Sequence, residues 1–173
     1  MPKPCPINST TEYVMTQILL STLTSPIGLL HFAHQNNVLY ALEFDEFNQR
    51  LTQSLKRYLP DTFTLGMSEQ STIHQHLEAY FSGDIYALNH IAVNPLGTPF
   101  QQQVWQALRT IAVGQTASYQ HIAQQINKEN GQRAVGMANG KNPIPLVIPC
   151  HRVINSNGQL GGYSGTLWRK EWL

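Results

Sequence analysis

Apolar positions repeat along this chain with two periods, about two and about four, and their order predicts its elements. The runs "LLHFAH" and "VLYALEF" are strand-like, and the polar "QNN" between them completes the signature of a β-hairpin. Phe47, Leu51, Leu55 and Leu59 then recur every four residues on one helical face, and Pro60-Asp61 is placed to stop that helix. Ile73, Leu77, Tyr80 and Phe81 mark a shorter helix ending at Ser82-Gly83. Residues 1 to about 17 are expected to form a loosely ordered lead-in. The first part of the chain thus reads as a small α+β unit.

In "LNHIAVNPLGTPF" turn formers follow one another closely: Asn94-Pro95, Gly97 and Pro99. This predicts a joint, dividing the chain into residues 1–94 and 95–173. Thr98 is suited to cap a helix that has Pro99 at its first position. Phe100, Val104, Leu108 and Ile111 give that helix an apolar stripe, predicted to run to Gly114. Ser118 can cap "YQHIAQQIN", with Ile122, Ala123 and Ile126 inward, and "KENG" turns the chain into the short helix "QRAVGMANG". Two short helices joined tightly behind a longer one suggest a helix-turn-helix, although many such pairs never meet DNA.

Composition narrows the class without choosing the chemistry. With 173 residues, 42% of them apolar and only 12% charged, the chain can build a core in one domain or two small ones. No apolar run approaches a membrane span, and the start lacks a basic region before an apolar stretch, so a cytoplasmic protein without a membrane partner is expected. A formal net charge of +1 does not announce a phosphate-rich partner, so any nucleic-acid site must be a local patch. Two cysteines, Cys5 and Cys150, make no disulfide framework. His31, His34, His74 and His76 are scattered through ordinary elements. No metal site and no cofactor are expected.

The candidate chemistry lies in "VIPCHRVINS", residues 147–156, where a thiol, an imidazole and a guanidinium follow an apolar run. A thiol is a useful nucleophile only when a base or cation stabilises its thiolate. In an extended segment Cys150 and His151 point to opposite faces, so the histidine can help only through a turned backbone or a bridging water. Pro149 makes such a turn plausible. Read by itself, the stretch leaves a nucleophile and a buried structural thiol both open. The downstream "GGYSG", residues 161–165, is an ordinary surface turn or a loop that folds over a ligand. The sequence contexts of papain-type and caspase-type cysteine proteases are absent.

Taken together, "SYQHIAQQIN", "RAVGMANGKNPIPLVIPCHRVINSNGQLGGYSG" and "KEW" resemble the O6-alkylguanine-DNA alkyltransferases, the methylated-DNA–protein-cysteine methyltransferases. The likeness is near-continuous from "GTPFQQQVWQALRTI" onward, and "PCHRV" preceded by "NPIP" is its most specific part. The first half fits more loosely, through "SPIG" and the hairpin after it. The fold this resemblance implies is α+β: a small N-terminal ribonuclease-H-like α/β domain, then a helical C-terminal domain with a winged-helix-like helix-turn-helix.

The activity it implies is direct-reversal DNA repair by a monomer. Cys150 takes the alkyl group from O6 of guanine (and from O4-alkylthymine) in double-stranded DNA, keeps it, and acts once. His151 takes the thiol proton through a water. The carbonyls of Cys150 and Val153 accept from the guanine amino group, Tyr119 lies over the base pocket, Tyr163 walls it, and Ser164 bonds O6. Asn142, before Pro143, ties the recognition helix to the active-site strand. Attack requires sulfur within about 3 to 3.5 Å of the alkyl carbon, in line with the leaving oxygen. That carbon is inaccessible in a duplex, so the base must be extruded, at a cost of a few kcal/mol. Arg133 matches the family's arginine finger for the vacated stack. Ala134, Gly136, Ala138 and Gly140 let the helix backbone approach the minor groove, and Lys128 and Lys141 are placed to meet phosphates.

One departure qualifies that expectation. The family pattern continues past "KEWL" to a glutamate that orients the histidine, whereas this sequence stops at Leu173 and Glu171 falls on another helix face. The relay is therefore expected to be incomplete, or the chain cut short. The competing expectation is a non-catalytic lesion sensor that binds damaged DNA and recruits other repair proteins; Cys150 argues against it. A methylation-sensing activator would need a zinc domain for which there is no room, and a thiol hydrolase is more distant still.

Overall fold

The computed structural model describes residues 17–59, 63–68 and 70–173. The expected lead-in before Gln17, Cys5 within it, and the Pro60-Asp61 stop lie outside those residues. Strands β1 (Gln17–Ser25), β2 (Gly28–Gln35) and β3 (Val38–Phe44) form an antiparallel meander. The β2–β3 turn is built on Asn36 and Asn37, at φ 49° and 61°. Positive φ at both central residues gives a hairpin turn the right-handed twist of its strands, and asparagine tolerates it better than most residues. Helix α1 (Asn48–Tyr58) follows, then β4 (Thr64–Met67), α2 (Thr72–Phe81) and β5 (Ala92–Val93).

The sheet has the order β4-β1-β2-β3-β5, with its two edge strands parallel to their neighbours. Strand β1 lacks an apolar alternation strong enough to predict it, and β4 is four residues of mixed exposure. Both exist because the hairpin offers them an edge. Leu51 and Leu55 of α1 close one face of the sheet over Ile18, Ala33 and Ala41. Burial of each such leucine contributes about 1.5–3 kcal/mol. The other face carries Leu30, Phe32, Leu42 and Phe44 into a larger core with Ile73 and Leu77 of α2.

That larger core continues into the second half. Helix α3 (Pro99–Leu108) begins with a capping box: Gln101 N–H donates to Thr98 Oγ1 at 3.3 Å, and Thr98 N–H to Gln101 Oε1 at 2.9 Å. The predicted run to Gly114 is too long. The helix ends at Leu108, and the chain closes in tighter i→i+3 bonds, Thr110 N–H to Ala107 O and Ile111 N–H to Leu108 O. Ile111 is still buried, on that turn rather than on the helix.

Strand β6 (Ala117–Ser118) leads into α4 (Tyr119–Gln125), which Ser118 caps through His121 N–H at 3.0 Å. Helix α5 (Gln132–Gly140) packs on α3 and α4. Strand β7 (Val153–Ile154) pairs with β6, and α6 (Leu167–Trp172) closes the described chain. Among the described residues no helix is long and apolar enough to cross a membrane.

Candidate active site

Between α5 and β7 the chain runs through "KNPIPLVIPC" almost wholly buried. Apolar Ile144, Leu146, Val147 and Ile148 anchor it in the large core, and Leu42 N–H of β3 donates to Pro143 O at 2.9 Å. Leu146 sits at φ 76°, a conformation unusual for a bulky side chain, held by its surroundings. Behind Pro149 the backbone turns tightly over Cys150–Arg152 instead of extending. The strict alternation that would send Cys150 and His151 to opposite faces is therefore relieved: the thiol is 1% exposed and the imidazole 7%.

Asn142 organises the thiol. Its Nδ2 donates to Ile148 O at 2.8 Å and lies 3.0 Å from Cys150 Sγ, while its Oδ1 accepts from Ile144 N–H at 3.0 Å. Asn139 on α5 donates through Nδ2 to Cys150 O at 3.4 Å. Burial pushes the thiol up to about 11, opposed by the Asn142 hydrogen bond and the nearby Lys170 ammonium. His151 is driven the other way, down to about 3, by burial and by the positive charges of Arg152 and Lys170. The resting pair is therefore neutral thiol and neutral imidazole, with no hydrogen bond between the two side chains. His151 Nδ1 has no partner among the described residues. The residue His151 borders a cavity of about 490 Å³ with Tyr80, Arg152 and Lys170. Glu171 lines that cavity too but makes no hydrogen bond to the ring.

The "GGYSG" loop closes over this region. A Cβ on Gly161 would stand 2.6 Å from Tyr119 Oη, and one on Gly165 would collide with the Phe44 ring. A side chain at either position would have to displace an aromatic ring. Tyr119, the first residue of α4, is sandwiched between Gly161 and Gly136 of α5, close enough to the thiol that a thiolate there would raise its phenol further. Tyr163 has its hydroxyl buried without a partner among the described residues, and burial holds that phenol well above the usual range. The Ser164 carbonyl accepts from Arg50 at 3.4 Å, and Ser164 lines a second cavity, of about 500 Å³, with Asn142 and Pro143.

Lys170, Arg169 and Asn139 escaped the sequence reading. Lys170 Nζ donates to Val153 O at 2.7 Å and Gly161 O at 3.2 Å, so it clamps the loop to β7 and brings a charge near the thiol. Arg169 donates to Ile27 O at 2.7 Å, Gly165 O at 3.2 Å and Glu46 at 2.8 Å, which pins α6 and the loop to the β1–β2 turn. In sequence both look like surface cations of a short terminal helix; burial of 96–97% is what distinguishes them. Asn139 and Lys170 fall within "RAVGMANG" and "KEW", and "SPIG" contains Ile27, whose carbonyl Arg169 binds.

Arg133, Ala134, Met137 and Lys141 form the outward side of α5 and its C-terminal end, with Gly136 half-buried against Tyr119. Val135, Ala138 and Asn139 face inward, and Trp105 Nε1 donates to Ala138 O at 2.9 Å. The candidate site therefore brings Cys150, His151, Asn142, Tyr119, Val153, Tyr163 and Ser164 into one neighbourhood. Arg133, Ala134 and Lys141 lie outside it on the solvent-facing helix. Among the described residues no three His, Cys, Asp or Glu side chains gather as a metal site.

Comparison with known proteins gives a consistent likeness. A family model, the DNA-binding domain of 6-O-methylguanine DNA methyltransferase, matches residues 99–173. The methylated-DNA–protein-cysteine methyltransferase of Shigella flexneri is 37% identical over 162 residues, 92% of this chain and 95% of that protein. The crystal structure of Mycobacterium tuberculosis O6-methylguanine methyltransferase superposes with a TM-score of 0.72 at 39% identity, covering 90% of each chain. A structure of the Mycobacterium tuberculosis protein in complex with DNA superposes with a TM-score of 0.71 at 38% identity, covering 88% of each chain.

Proposed function

The chain belongs to the methylated-DNA–protein-cysteine methyltransferases, and we propose that it repairs O6-alkylguanine in double-stranded DNA by moving the alkyl group irreversibly to Cys150. The observation that carries this reading is a buried thiol held 3.0 Å from a fully engaged asparagine amide, beside a buried histidine, in a protein of that family. Sulfur attacks the alkyl carbon, the carbon–oxygen bond breaks, and guanine leaves with the electron pair on O6. A thioether remains on Cys150, so each molecule acts once.

Each residue's part follows from its surroundings. His151 accepts the thiol proton through water, which the absence of a direct hydrogen bond requires. Asn142 Nδ2 stabilises charge developing on sulfur, and it ties the end of α5 to the turn that carries the thiol. Ser164 donates to O6 as charge builds there, while Tyr119 and Tyr163 form the two aromatic walls. The carbonyls of Cys150 and Val153 receive the guanine amino group; Val153 O also accepts from Lys170 Nζ.

The remaining assignments concern how the base is reached. We read residues 95–173 as the DNA-binding domain, with α4 and α5 as a helix-turn-helix and α5 in the minor groove. Residues 1–94 then form a ribonuclease-H-like supporting domain. The base is flipped out, and Arg133 enters the stack in its place. Ala134 and Gly136 add little bulk to the helix surface, which supports close approach of backbone to DNA. O4-alkylthymine is a second substrate, the working form is a monomer, and the cytoplasm is its compartment.

The test is intact-protein mass after incubation with duplex DNA containing O6-methylguanine. The mass should rise by one methyl group, located on Cys150 by peptide mapping, and stop there. Binding of the damaged duplex with no mass gain would instead identify a lesion sensor.

A further inference from the structure

Helix α1 has a polar face that the repair reaction does not use. Arg50, Gln53, Ser54 and Arg57 recur at i, i+3, i+4 and i+7, and all four line the groove of about 500 Å³ that separates α1 from Gly140, Lys141 and Asn142. Seven residues of helix separate the two arginines by about 10 Å along the axis. Leu51 and Leu55 on the inward face fix the rotation of the helix, so this presentation is set by the core.

The charges in this groove have no ion-pair partner among the described residues, although Arg57 lies over the Tyr58 ring at 5.6 Å. Elsewhere guanidinium groups are occupied: Arg109 on Ile91 O, Arg152 on Ile111 O, and the buried Arg169 on Glu46. Arg57 and Lys141, by contrast, are exposed and make no ion pair among the described residues. Arg50 lies over the Phe47 ring at 4.1 Å and, among the described residues, hydrogen-bonds only the Ser164 carbonyl. Among the described residues Glu43 is the one carboxylate lining the groove, and burial raises it to about 7, so it offsets only part of the three positive charges.

We propose that the α1 face bearing Arg50 and Arg57 is a phosphate-binding track that, with Lys141, carries the backbone of one DNA strand beyond helix α5. The inference rests on the reading of α5 as a minor-groove helix. Arg133 and Lys141 lie at opposite ends of α5, about 12 Å apart along its axis. The minor groove is only about 6 Å wide and has a phosphate backbone on each side. A helix seated there is flanked by both strands, and the strand that passes its C-terminal end runs directly to the groove lined by α1. Its guanidinium groups suit phosphodiester oxygens, and Gln53, Thr98 and Gln101 can add neutral hydrogen bonds.

The experiment is the salt dependence of binding of unmodified duplex DNA, followed by fluorescence anisotropy. Substitutions Arg57→Ala and Arg50→Ala should each lower the slope of log affinity against log salt by about 0.9, the value for one phosphate contact. Lys56→Ala serves as the control, since Lys56 is on the same helix but lines the opposite cavity with Ser21 and His31. Its slope should stay at the wild-type value. Reaction of Arg57→Ala with free O6-benzylguanine should be unchanged, which shows that the variant is folded. If wild-type protein has no salt-dependent affinity, or Arg133→Ala binds as well as wild type, the reading of α5 fails. If Arg133→Ala binds weakly while Arg57→Ala keeps the wild-type slope, the track is wrong. An equal drop for Lys56→Ala would overturn it as well, by showing a bulk charge effect.

Discussion

Asn142 gives the acceptor segment both of its amide hydrogens, reaching Cys150 Sγ at 3.0 Å and Ile148 O at 2.8 Å. Its own oxygen is held by Ile144 N–H, so the amide cannot swing away or flip without losing three bonds. In a site where burial raises the thiol to about 11, this is the stronger of the hydrogen bonds that favour thiolate. Asn142→Ala should therefore slow alkyl transfer by about 10²-fold, the usual loss for one oriented donor at a developing anion. DNA binding should persist, and stability should fall by about 1–3 kcal/mol for the buried groups left unpaired. Single-turnover rates and thermal melts check the two parts.

Cys150→Ser should abolish transfer while the variant still binds alkylated duplex, because a hydroxyl is far less acidic than a thiol and His151, held near 3, is too weak a base to compensate. Cys5→Ser should change neither property. Transfer of a labelled alkyl group and gel-shift titration separate the outcomes; comparable loss on both substitutions would remove Cys150 from its role.

The pH profile follows from opposite shifts. His151, held near 3, stays neutral throughout pH 5–9, so its protonation should not produce a fall in rate on the acid side near 6.5. The thiol, raised to about 11, remains mostly protonated over the same window, and its ionised fraction grows tenfold per pH unit. The rate with free O6-benzylguanine should climb steadily up to pH 9 without a plateau. A plateau near pH 7 would mean that the pair ionises far more easily than its burial allows.

Arg133→Ala should reduce repair of a lesion in duplex DNA much more than reaction with free O6-benzylguanine. The free base needs no extrusion, so a side chain that holds the vacated stack has nothing to do there. Rates on the two substrates, measured side by side, decide the matter; equal losses would make Arg133 an ordinary surface arginine.

Glu43 gives a stability test. Its carboxyl is raised from 4.5 to about 7 by burial, so the fold favours the protonated form. That contribution is complete below about pH 4.5 and is lost as pH rises through 7. Glu43→Gln keeps the shape without the charge. It should leave the melting temperature unchanged at pH 4.5 and raise it at pH 8, by an amount corresponding to roughly 3 kcal/mol. Thermal melts across that range provide the check, and an equal effect at both ends would show that the charge is not what matters.

Much of this protein is decided locally, and there the sequence sufficed. The β2–β3 hairpin follows from two alternating runs around Asn36-Asn37, and α3 and α4 start where Thr98 and Ser118 can cap them. The four-residue stripe of Leu51 and Leu55 sets which face of α1 is buried. The family, too, is legible in "NPIPLVIPCHRV", because a run of specific residues survives without any knowledge of contacts. Non-local pairing decided the rest. Strands β1 and β4 exist through partners elsewhere in the chain, and α3 stops at Leu108 because the loop after it packs inward. Only the folded chain turns Cys150 and His151 into a buried pair with opposed proton affinities, since desolvation depends on what surrounds a side chain and not on its neighbours in sequence. Lys170 and Arg169 make the same point: two adjacent cations on a short helix become buried clamps because the carbonyls of Val153, Gly161 and Ile27 converge on them from distant parts of the chain.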